Sequence, residues 1–363
     1  MTKSIAVVFG TRPEMIKLAP VIRELGSRAL VIHTGQHFDD SMSHTILEQL
    51  RIGEPHHNLA VGGLTRGAQI GRATIALEQL LLDHHPQVVV VQGDTNAGLA
   101  GALAANCAGV PLVHLEAGLR SFDRAMPEEH NRVLIDALAD RCLAPHDSNA
   151  RLLEQEGIDP KRIRVTGSTL AEALIDIFPD ETSRAELRAA LGVAPSEFVL
   201  ATIHRAENAD SEANLRAILE QLVSLSVPVV LPLHPRTRAK ASEFGLTPLL
   251  DQLVTVEPLG YREFIGLASG CALMVSDSGG VQEEATIVKR PVVIVRNSTE
   301  RPEILGTFAH LVSAGPALGD TARELLADIT AIHARLASLP YPYGSNATDR
   351  CVEAIDELVA SPG

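Results

Sequence analysis

The sequence lacks paired cysteines, long apolar segments and an excess of basic residues. Its four cysteines lie far apart and form no CxxC pair, which argues against a zinc site or a redox motif and favours reduced thiols in a cytosol. The longest apolar runs, such as 88–91 and 227–233, are strand-sized, and the N-terminus has no signal-peptide pattern. We therefore predict a cytoplasmic protein with no membrane partner.

Several cofactor and catalytic motifs are also missing. There is no GxGxxG or GxxxxGK[ST] motif, so neither a dinucleotide cofactor nor a P-loop is indicated. No HExxH motif or Cys/His cluster at ligand spacing predicts a metal site, and no GxSxG motif predicts acyl transfer. The net charge of −14 weighs against nucleic acid as a partner, whereas a few local cations suffice for a small anionic ligand.

A length of 363 residues favours two domains, and 45% hydrophobic residues are typical of a globular protein. Short apolar runs alternate with segments of helical period, which predicts an α/β fold of two Rossmann-like, doubly wound domains. We place the N-terminal domain at 1–170 and the second domain at 171–345. A last amphipathic helix, within 346–363, is expected to pack back on the first domain.

Twelve strands are predicted from these runs. They are 5–9, 30–33, 88–91, 112–115, 141–144 and 163–165 in the first half, and 198–202, 229–233, 254–257, 273–276, 292–295 and 310–312 in the second half. Polar residues follow most of these runs, and ligands of doubly wound folds bind at the carboxyl ends of parallel strands. We therefore expect the site in a cleft between the two domains.

Three polar segments carry candidate binding residues. Arg12 and Lys17 lie in the first turns of the helix after the first strand, where free amide groups attract anions. His204 and Arg205 follow a strand of the second half, and this pair suits a diphosphate or a sugar hydroxyl. Each segment alone also fits an ordinary helix start or turn.

The segment Ser278, Gly279 and Gly280 leads from a strand into a helix, so that backbone amides can approach a phosphate closely. Glu284, one turn later, can accept ribose hydroxyls. A plain glycine-rich turn is the alternative, but serine before paired glycines with trailing glutamates is among the more specific signals in the chain.

Three carboxylates are candidate catalytic groups. Asp94 and Glu116 stand where strands leave the predicted sheet, and Glu128 opens a helix that continues to Arg132. An acid at such a position can instead cap a helix or pair with a neighbouring arginine. Their common sheet edge favours acid/base chemistry for all three.

The ordered motifs GTRPE with Lys17, TGQH, QGDT, HLEAGLRS, MPEEHNR, HRAEN, DSGGVQEE and TERPE span the whole chain. Together they resemble the non-hydrolysing UDP-N-acetylglucosamine 2-epimerases. The resemblance implies two domains of the glycosyltransferase-B type, a homodimer, no cofactor, and interconversion of UDP-N-acetylglucosamine with UDP-N-acetylmannosamine.

Position by position, the resemblance makes Asp94, Glu116, Glu128 and His204 catalytic residues. It also implies a set of residues that bind the UDP-sugar, which we extend with the neighbouring arginines. This set is Arg12, Lys17, Arg132, Arg205, Ser278, Gly279, Gly280 and Glu284.

An allosteric site for a second substrate molecule is implied at Gln36, His37, Arg72 and His234. Asp39 stands where the family has a glutamine, so activation by a second molecule stays open. The loop from Arg120 to Pro127 is shorter than in enterobacterial members and resembles the branch with archaeal enzymes and 2,3-diacetamido-uronate epimerases, which leaves the exact sugar open.

The resemblance implies elimination and re-addition of UDP through a 2-acetamidoglucal, because no ring carbonyl acidifies the hydrogen on carbon 2. Which carboxylate removes that hydrogen stays open, as does the pathway. The alternatives are a hydrolysing 2-epimerase that releases N-acetylmannosamine and UDP, an epimerase of a related UDP-2,3-diacetamido sugar, a glycosyltransferase of the same architecture, and a catalytically silent nucleotide-sugar sensor.

Overall fold

Two separate parallel β-sheets form the frame of the protein. The computed structural model describes residues 4–36 and 47–360. Within it the chain divides into two compact units, one of residues 1–177 with 343–363 and one of residues 178–342. Both units alternate strands with helices, which confirms the predicted α/β class of two doubly wound units.

The first unit contains seven described strands. They are β1 (Ile5–Phe9), β2 (Ala29–His33), β3 (His57–Asn58), β4 (Val88–Gln92), β5 (Leu112–Leu115), β6 (Arg141–Ala144) and β7 (Ile163–Val165). Their order across the sheet is β3-β2-β1-β4-β5-β6-β7, and all pairs are parallel. The order reverses between β1 and β4, because β1 pairs with both β2 and β4. A reversal of this kind opens a crevice at the carboxyl ends of the strands.

The helices of the first unit connect these strands. They are α1 (Arg12–Leu25), α2 (Arg66–His84), α3 (Asn96–Ala108), α4 (Pro127–Leu138), α5 (Asp147–Gln155), α6 (Leu170–Ile177) and, at the C-terminus, α16 (Ala347–Ala360). Every residue of β1, β2 and β4 is buried, as expected for a parallel sheet that helices cover on both faces.

The second unit repeats the pattern. Its strands are β8 (Val199–Thr202), β9 (Val229–Pro232), β10 (Val254–Val256), β11 (Leu273–Ser276), β12 (Val292–Val295) and β13 (Ala309–Val312). The sheet order is β10-β9-β8-β11-β12-β13, again all parallel. Here the order reverses between β8 and β11, so the loops after these two strands lie side by side.

The helices of the second unit are α7 (Glu181–Ala190), α8 (Ala206–Ala209), α9 (Glu212–Val223), α10 (Pro235–Glu243), α11 (Thr247–Leu250), α12 (Tyr261–Gly270), α13 (Gly279–Val288), α14 (Pro316–Ala327) and α15 (Ile329–Ser338). Short 3-10 segments occur at Gly26–Arg28, Pro160–Arg162 and Pro302–Ile304. The predicted strands agree with those observed to within one residue at each end. The two-residue edge strand β3 was not predicted.

The chain passes from the first unit to the second between residues 177 and 178, whereas the sequence placed this boundary after residue 170. Helix α6 belongs to the first unit, since Arg23 of α1 forms an ion pair of 2.7 Å with Asp176. Helix α16 also belongs to this unit. Its first amides, of Ala347 and Thr348, donate to the carboxylate of Glu172 at 2.6 and 3.1 Å. The Glu172 side chain therefore caps α16 from α6.

Candidate active site

Glu14 anchors the loop that joins β1 to α1. Its carboxylate accepts hydrogen bonds from the amides of Gly10 and Thr11 at 3.0 and 2.8 Å and from the hydroxyls of Thr11 and Thr95 at 2.8 and 2.7 Å. Complete burial raises the pKa of Glu14 from 4.5 to about 7, against the lowering effect of these hydrogen bonds. Glu14 thus ties the Arg12 loop to the turn after β4, a role that the sequence motif did not reveal.

The structure brings Lys17 and Glu116 together. The Lys17 ammonium lies 2.6 Å from Oε1 of Glu116, and both side chains are about nine-tenths buried. Gln92, at the end of β4, donates to the other carboxylate oxygen. Glu116 also has a left-handed backbone with a φ of 65°, which is uncommon for a residue with a side chain and occurs often at functional sites.

Arg132 lies between two acids. Its guanidinium is 2.5 Å from Oδ2 of Asp94 and 2.7 Å from Oε2 of Glu129. Asn131, on the same helix α4, donates to the backbone carbonyl of Asp94 at 2.8 Å. Arg132, predicted to bind substrate, pairs with Asp94 in the structure, and its neighbour Asn131 holds the turn that carries Asp94. A buried charge needs such a partner.

The adjacent acids Glu128 and Glu129 have different environments. Glu129 is buried and accepts from the amides of Ser121 and Phe122, both at 2.9 Å. Burial alone would raise the pKa of Glu129, but these hydrogen bonds and Arg132 hold it below its ordinary value. Glu128 is half-buried and has no hydrogen bond or ion pair within the described ranges. Glu129 therefore holds a loop, whereas Glu128 is available for chemistry.

Arg12 is half-buried, and no hydrogen bond of its side chain occurs in the described part of the chain. It begins α1, directly beside the amides that Glu14 caps. A half-exposed guanidinium at a helix N-terminus can bind an anion without first leaving another partner.

In the second unit, Asp277 organises the loop after β8. It is fully buried and accepts from the amides of His204 and Arg205 at 3.0 and 2.9 Å and from the Asn208 side chain at 3.2 Å. Nδ1 of His204 lies 3.2 Å from the same carboxylate. Desolvation would raise the pKa of Asp277, but His204 and these hydrogen bonds lower it below its ordinary value. Sequence reasoning missed Asp277, although it begins the DSGG segment.

The DSGG segment starts helix α13 at Gly279, with Ser278 at the N-cap. The Ser278 hydroxyl does not cap the helix, so the first amides of this ten-residue helix keep their capacity to bind an anion. At Gly279 a Cβ atom would lie 2.3 Å from Oε1 of Glu300, whereas at Gly280 its nearest neighbour would be 3.8 Å away. Only the first glycine is required by packing inside the protein.

The two glutamates that follow are fixed by tyrosines. Tyr261 donates to Glu284 at 2.8 Å, and Tyr341 donates to Glu283 at 2.8 Å. Glu283 is fully buried and also forms a 2.7 Å ion pair with Arg301 of the TERPE motif. The motif thus packs against α13, and sequence reasoning had assigned no role to Arg301.

The proposed allosteric residues fall in different places. Gln36 accepts a hydrogen bond from the amide of Ala97 at 3.0 Å, and Arg72 is exposed on α2. His37 and Asp39 lie outside the described residues. In the second unit, the rings of His234 and His204 are 5.5 Å apart, and burial followed by the charge of His204 lowers the pKa of His234.

The described residues contain neither a candidate metal cluster nor a membrane-spanning helix. No group of three or more His, Cys, Asp or Glu side chains there could hold a metal ion. None of the helices described above is both long and apolar enough to cross a bilayer.

Comparison with known proteins gives the family. The model of the family described as UDP-N-acetylglucosamine 2-epimerase matches residues 23–356. The chain belongs to this family. A relative from Methanococcus maripaludis, named UDP-N-acetylglucosamine 2-epimerase, is 40% identical over 319 residues, which cover 85% of this chain and 87% of that protein. The resemblance drawn from the motifs is thereby confirmed.

Two further relatives are described by the UDP-sugars in their names. The UDP-2,3-diacetamido-2,3-dideoxy-D-glucuronate 2-epimerase of Pseudomonas aeruginosa is 38% identical, with 85% of this chain and 87% of that protein covered. The crystal structure of the Methanocaldococcus jannaschii UDP-GlcNAc 2-epimerase, in complex with UDP-GlcNAc and UDP, superimposes with a TM-score of 0.84 at 37% identity. It covers 97% of this chain and 99% of that one.

Proposed function

We propose that this family member interconverts UDP-N-acetylglucosamine and UDP-N-acetylmannosamine without hydrolysis and without a cofactor. The observation that carries the proposal is the placement of three acids in the first unit: Asp94 and Glu116 follow the adjacent strands β4 and β5, and Glu128 lies in the first turn of α4, whose Arg132 pairs with Asp94. Asp94 and Glu116 each lie beside a buried cation, and Glu128 has no partner in the described part of the chain. Two acids are thus each paired with a cation, whereas the third has no such partner among the described residues.

The reaction requires both charge stabilisation and proton transfer. Removal of the hydrogen on carbon 2 gives a proton to the base, and the electron pair forms the double bond between carbons 1 and 2. The bond from carbon 1 to the UDP oxygen breaks at the same time, and UDP leaves with its electrons. Asp94 and Glu116 suit the stabilisation of positive charge at carbon 1.

Glu128 is the group that we assign to proton transfer at carbon 2. An acid that already accepts from a cation loses that interaction when it takes a proton, whereas Glu128 has none to lose. UDP then adds back to carbon 1 after a proton reaches carbon 2 from the opposite face. Exclusion of water from the 2-acetamidoglucal separates this outcome from hydrolysis.

UDP binding is proposed for both units. In the second unit the first amides of α13, with Ser278 and Arg205, suit the diphosphate, and Glu284 suits ribose hydroxyls. Arg12 and Lys17 in the first unit add cations for the departing UDP. The family resemblance also predicts a homodimer, which light scattering would test.

An epimerase of a UDP-2,3-diacetamido uronate is the second candidate. The 38% identity to the Pseudomonas aeruginosa enzyme is close to the 40% shared with the Methanococcus maripaludis relative, so overall identity does not separate the two substrates. Parallel assays with both UDP-sugars decide between them, since the correct substrate is expected to show the larger kcat/KM.

Proton NMR in deuterium oxide with UDP-N-acetylglucosamine tests the proposal. We expect UDP-N-acetylmannosamine, deuterium at carbon 2 of both sugars, and little free UDP. Stoichiometric UDP with free N-acetylmannosamine would instead establish a hydrolysing enzyme. A product that keeps its hydrogen at carbon 2 in deuterium oxide would contradict proton exchange with solvent through Glu128.

The variant Glu128→Gln tests the assigned base. We expect kcat to fall by about 100-fold or more, because general base catalysis contributes that much, with a nearly unchanged Kd for UDP. Glu186→Gln is the matched control, since it removes one negative charge from an exposed position of α7. Wild-type turnover by Glu128→Gln would overturn the assignment.

A further inference from the structure

A buried group of ionisable residues connects the turns that carry Asp94 and Glu116. It consists of His114 on β5, Asp136 on α4 and Arg120 in the loop after β5, each at most 3% exposed. None of the three has a part in the proposed chemistry. Their burial excludes direct contact with a substrate, so any influence on the reaction has to pass through the residues that they hold.

The hydrogen bonds of His114 define its protonation state. Nε2 lies 2.8 Å from the carbonyl oxygen of Gly93, which can only accept, so this nitrogen carries a hydrogen. Nδ1 lies 2.6 Å from Oδ1 of Asp136. If Asp136 is ionised, Nδ1 also has to carry a hydrogen, and the ring is an imidazolium.

The other contacts of Asp136 favour its ionised form. Its Oδ2 accepts from the amide of Gly118 at 3.1 Å and lies 2.8 Å from Nη1 of Arg120. Burial raises the pKa of Asp136, but His114 and Arg120 together hold it below its ordinary value. Arg120 is balanced in turn by Glu156 at 2.6 Å. Together with Glu156, the three buried residues therefore have no net charge.

This group reaches both catalytic turns. Gly93 immediately precedes Asp94, and Gly118 follows Glu116 by two residues. Gly118 has a φ of 82°, and a Cβ there would lie 2.6 Å from the carbonyl oxygen of Asn149, so only glycine fits where this turn packs against α5. A buried ion pair adds little net stability compared with apolar side chains of equal volume. We therefore look for the role of this ion pair in the positions of the two turns rather than in stability.

We propose that His114, held as an imidazolium by Asp136, is a positioning residue that fixes the Asp94 turn relative to Glu116. The inference rests on the proposed epimerase function. Loss of the charge on the ring weakens its hold on the Gly93 carbonyl, and a small displacement of a reacting group lowers the rate much more than it lowers binding.

Asp136→Asn is the decisive variant, because it preserves shape and hydrogen bonding. The asparagine can accept from Gly118 and Arg120 while its amide donates to a neutral His114. We expect kcat to fall by about 10- to 100-fold, with less than about a threefold change in KM, because the UDP-binding groups are untouched. His114→Gln should give the same separation of kcat from KM.

Glu156→Gln is the matched control. It removes a partner of Arg120 on the side away from Asp136, where Glu156 is 32% exposed, and should leave kcat unchanged. Thermal unfolding of each variant measures the folded fraction. A loss of activity in Asp136→Asn that only follows this fraction would overturn the positioning role.

Nitrogen-15 NMR of labelled histidine provides a readout without substrate. At neutral pH the His114 signal, assigned by its loss in His114→Gln, should show both ring nitrogens protonated, and one of them should lose its proton in Asp136→Asn. A neutral His114 in the wild type would refute the proposal even in an active enzyme. A wild-type protein without epimerase turnover would refute the proposed function instead, and amide exchange at Gly93 and Gly118 would still report the loosened turns.

Discussion

Helix α13 begins with two glycines, Gly279 and Gly280. Adding one methyl group at Gly279 tests packing, and adding one at Gly280 tests UDP binding. In Gly279→Ala the new Cβ would lie 2.3 Å from Oε1 of Glu300, whereas in Gly280→Ala its nearest atoms would be Oε1 of Glu284 at 3.8 Å and Oγ of Ser278 at 4.0 Å. The first distance is a collision, and the second pair are ordinary contacts.

Glu300 cannot simply move away in the first variant. It is 5% exposed, and Arg296 donates to its other oxygen at 2.7 Å. Overpacking of this kind costs about 1–3 kcal/mol, which lowers the melting temperature by about 2–4 °C for each kcal/mol in a unit of this size. Gly280→Ala should instead leave stability unchanged or raise it by about 0.4–1 kcal/mol, because alanine restricts the unfolded chain more than glycine.

The effects of the two variants on UDP binding are expected to be the reverse of their effects on stability. If a phosphate approaches the amide of Gly280, the new methyl group blocks it, and the loss of a hydrogen bond to a charged group costs about 1.5–3 kcal/mol. UDP binding by Gly280→Ala should therefore weaken by about 10- to 150-fold, although the protein stays fully stable.

Isothermal titration with UDP and thermal unfolding of the same samples measure both effects. Wild-type UDP affinity in Gly280→Ala would refute the assignment of the diphosphate to these amides. A wild-type melting temperature in Gly279→Ala would show that Glu300 is free to move, contrary to its contacts with Arg296.

Three further variants test single contacts. Glu14→Gln removes a group whose folded pKa is about 7 against an ordinary 4.5. Its contribution to stability is complete below pH 4.5 and is lost as the pH rises through 7. In urea titrations the unfolding free energy of the wild type, relative to that of the variant, should therefore fall by about 3 kcal/mol across this window. A constant difference between the two proteins would contradict the burial argument. Arg132→Met removes the cation between Asp94 and the buried Glu129 and should lower the unfolding free energy by about 3–5 kcal/mol. A variant as stable as the wild type would show that the acids take up protons instead. Glu172→Ala removes the cap of the C-terminal helix and should cost about 1 kcal/mol, with faster amide exchange at Thr348; unchanged exchange would exclude the cap.

Most strands could be predicted because buried parallel strands give uninterrupted apolar runs. The run at Val88–Gln92 is an example, since every residue of this strand is buried. The strand His57–Asn58 escaped prediction because two polar residues at a sheet edge form no pattern. Helix α6 was assigned to the wrong unit because the sequence does not show that Asp176 pairs with Arg23.

The motif residues of the site could be predicted, but their anchors could not. Asp277 acts on the loop after β8 only because β11 pairs with β8, with Ser276 opposite Thr202. These positions are 74 residues apart in the chain, and nothing in the local sequence states which strands are neighbours. The same holds for Asp136, because His114 on β5 and Arg120 in the loop after β5 meet α4 only in the folded sheet.

The carboxylates of the two units divide into two kinds by the donors that they face. Glu14, Glu129 and Asp277 each accept from at least two backbone amides. Such an acid cannot move without disrupting the loop that it holds. The contacts described for Asp94 and Glu116 come from side chains, which can turn away when a substrate arrives. The division therefore follows from the geometry of the donors, and it separates the acids that hold loops from Asp94 and Glu116, the acids that we assign to charge stabilisation.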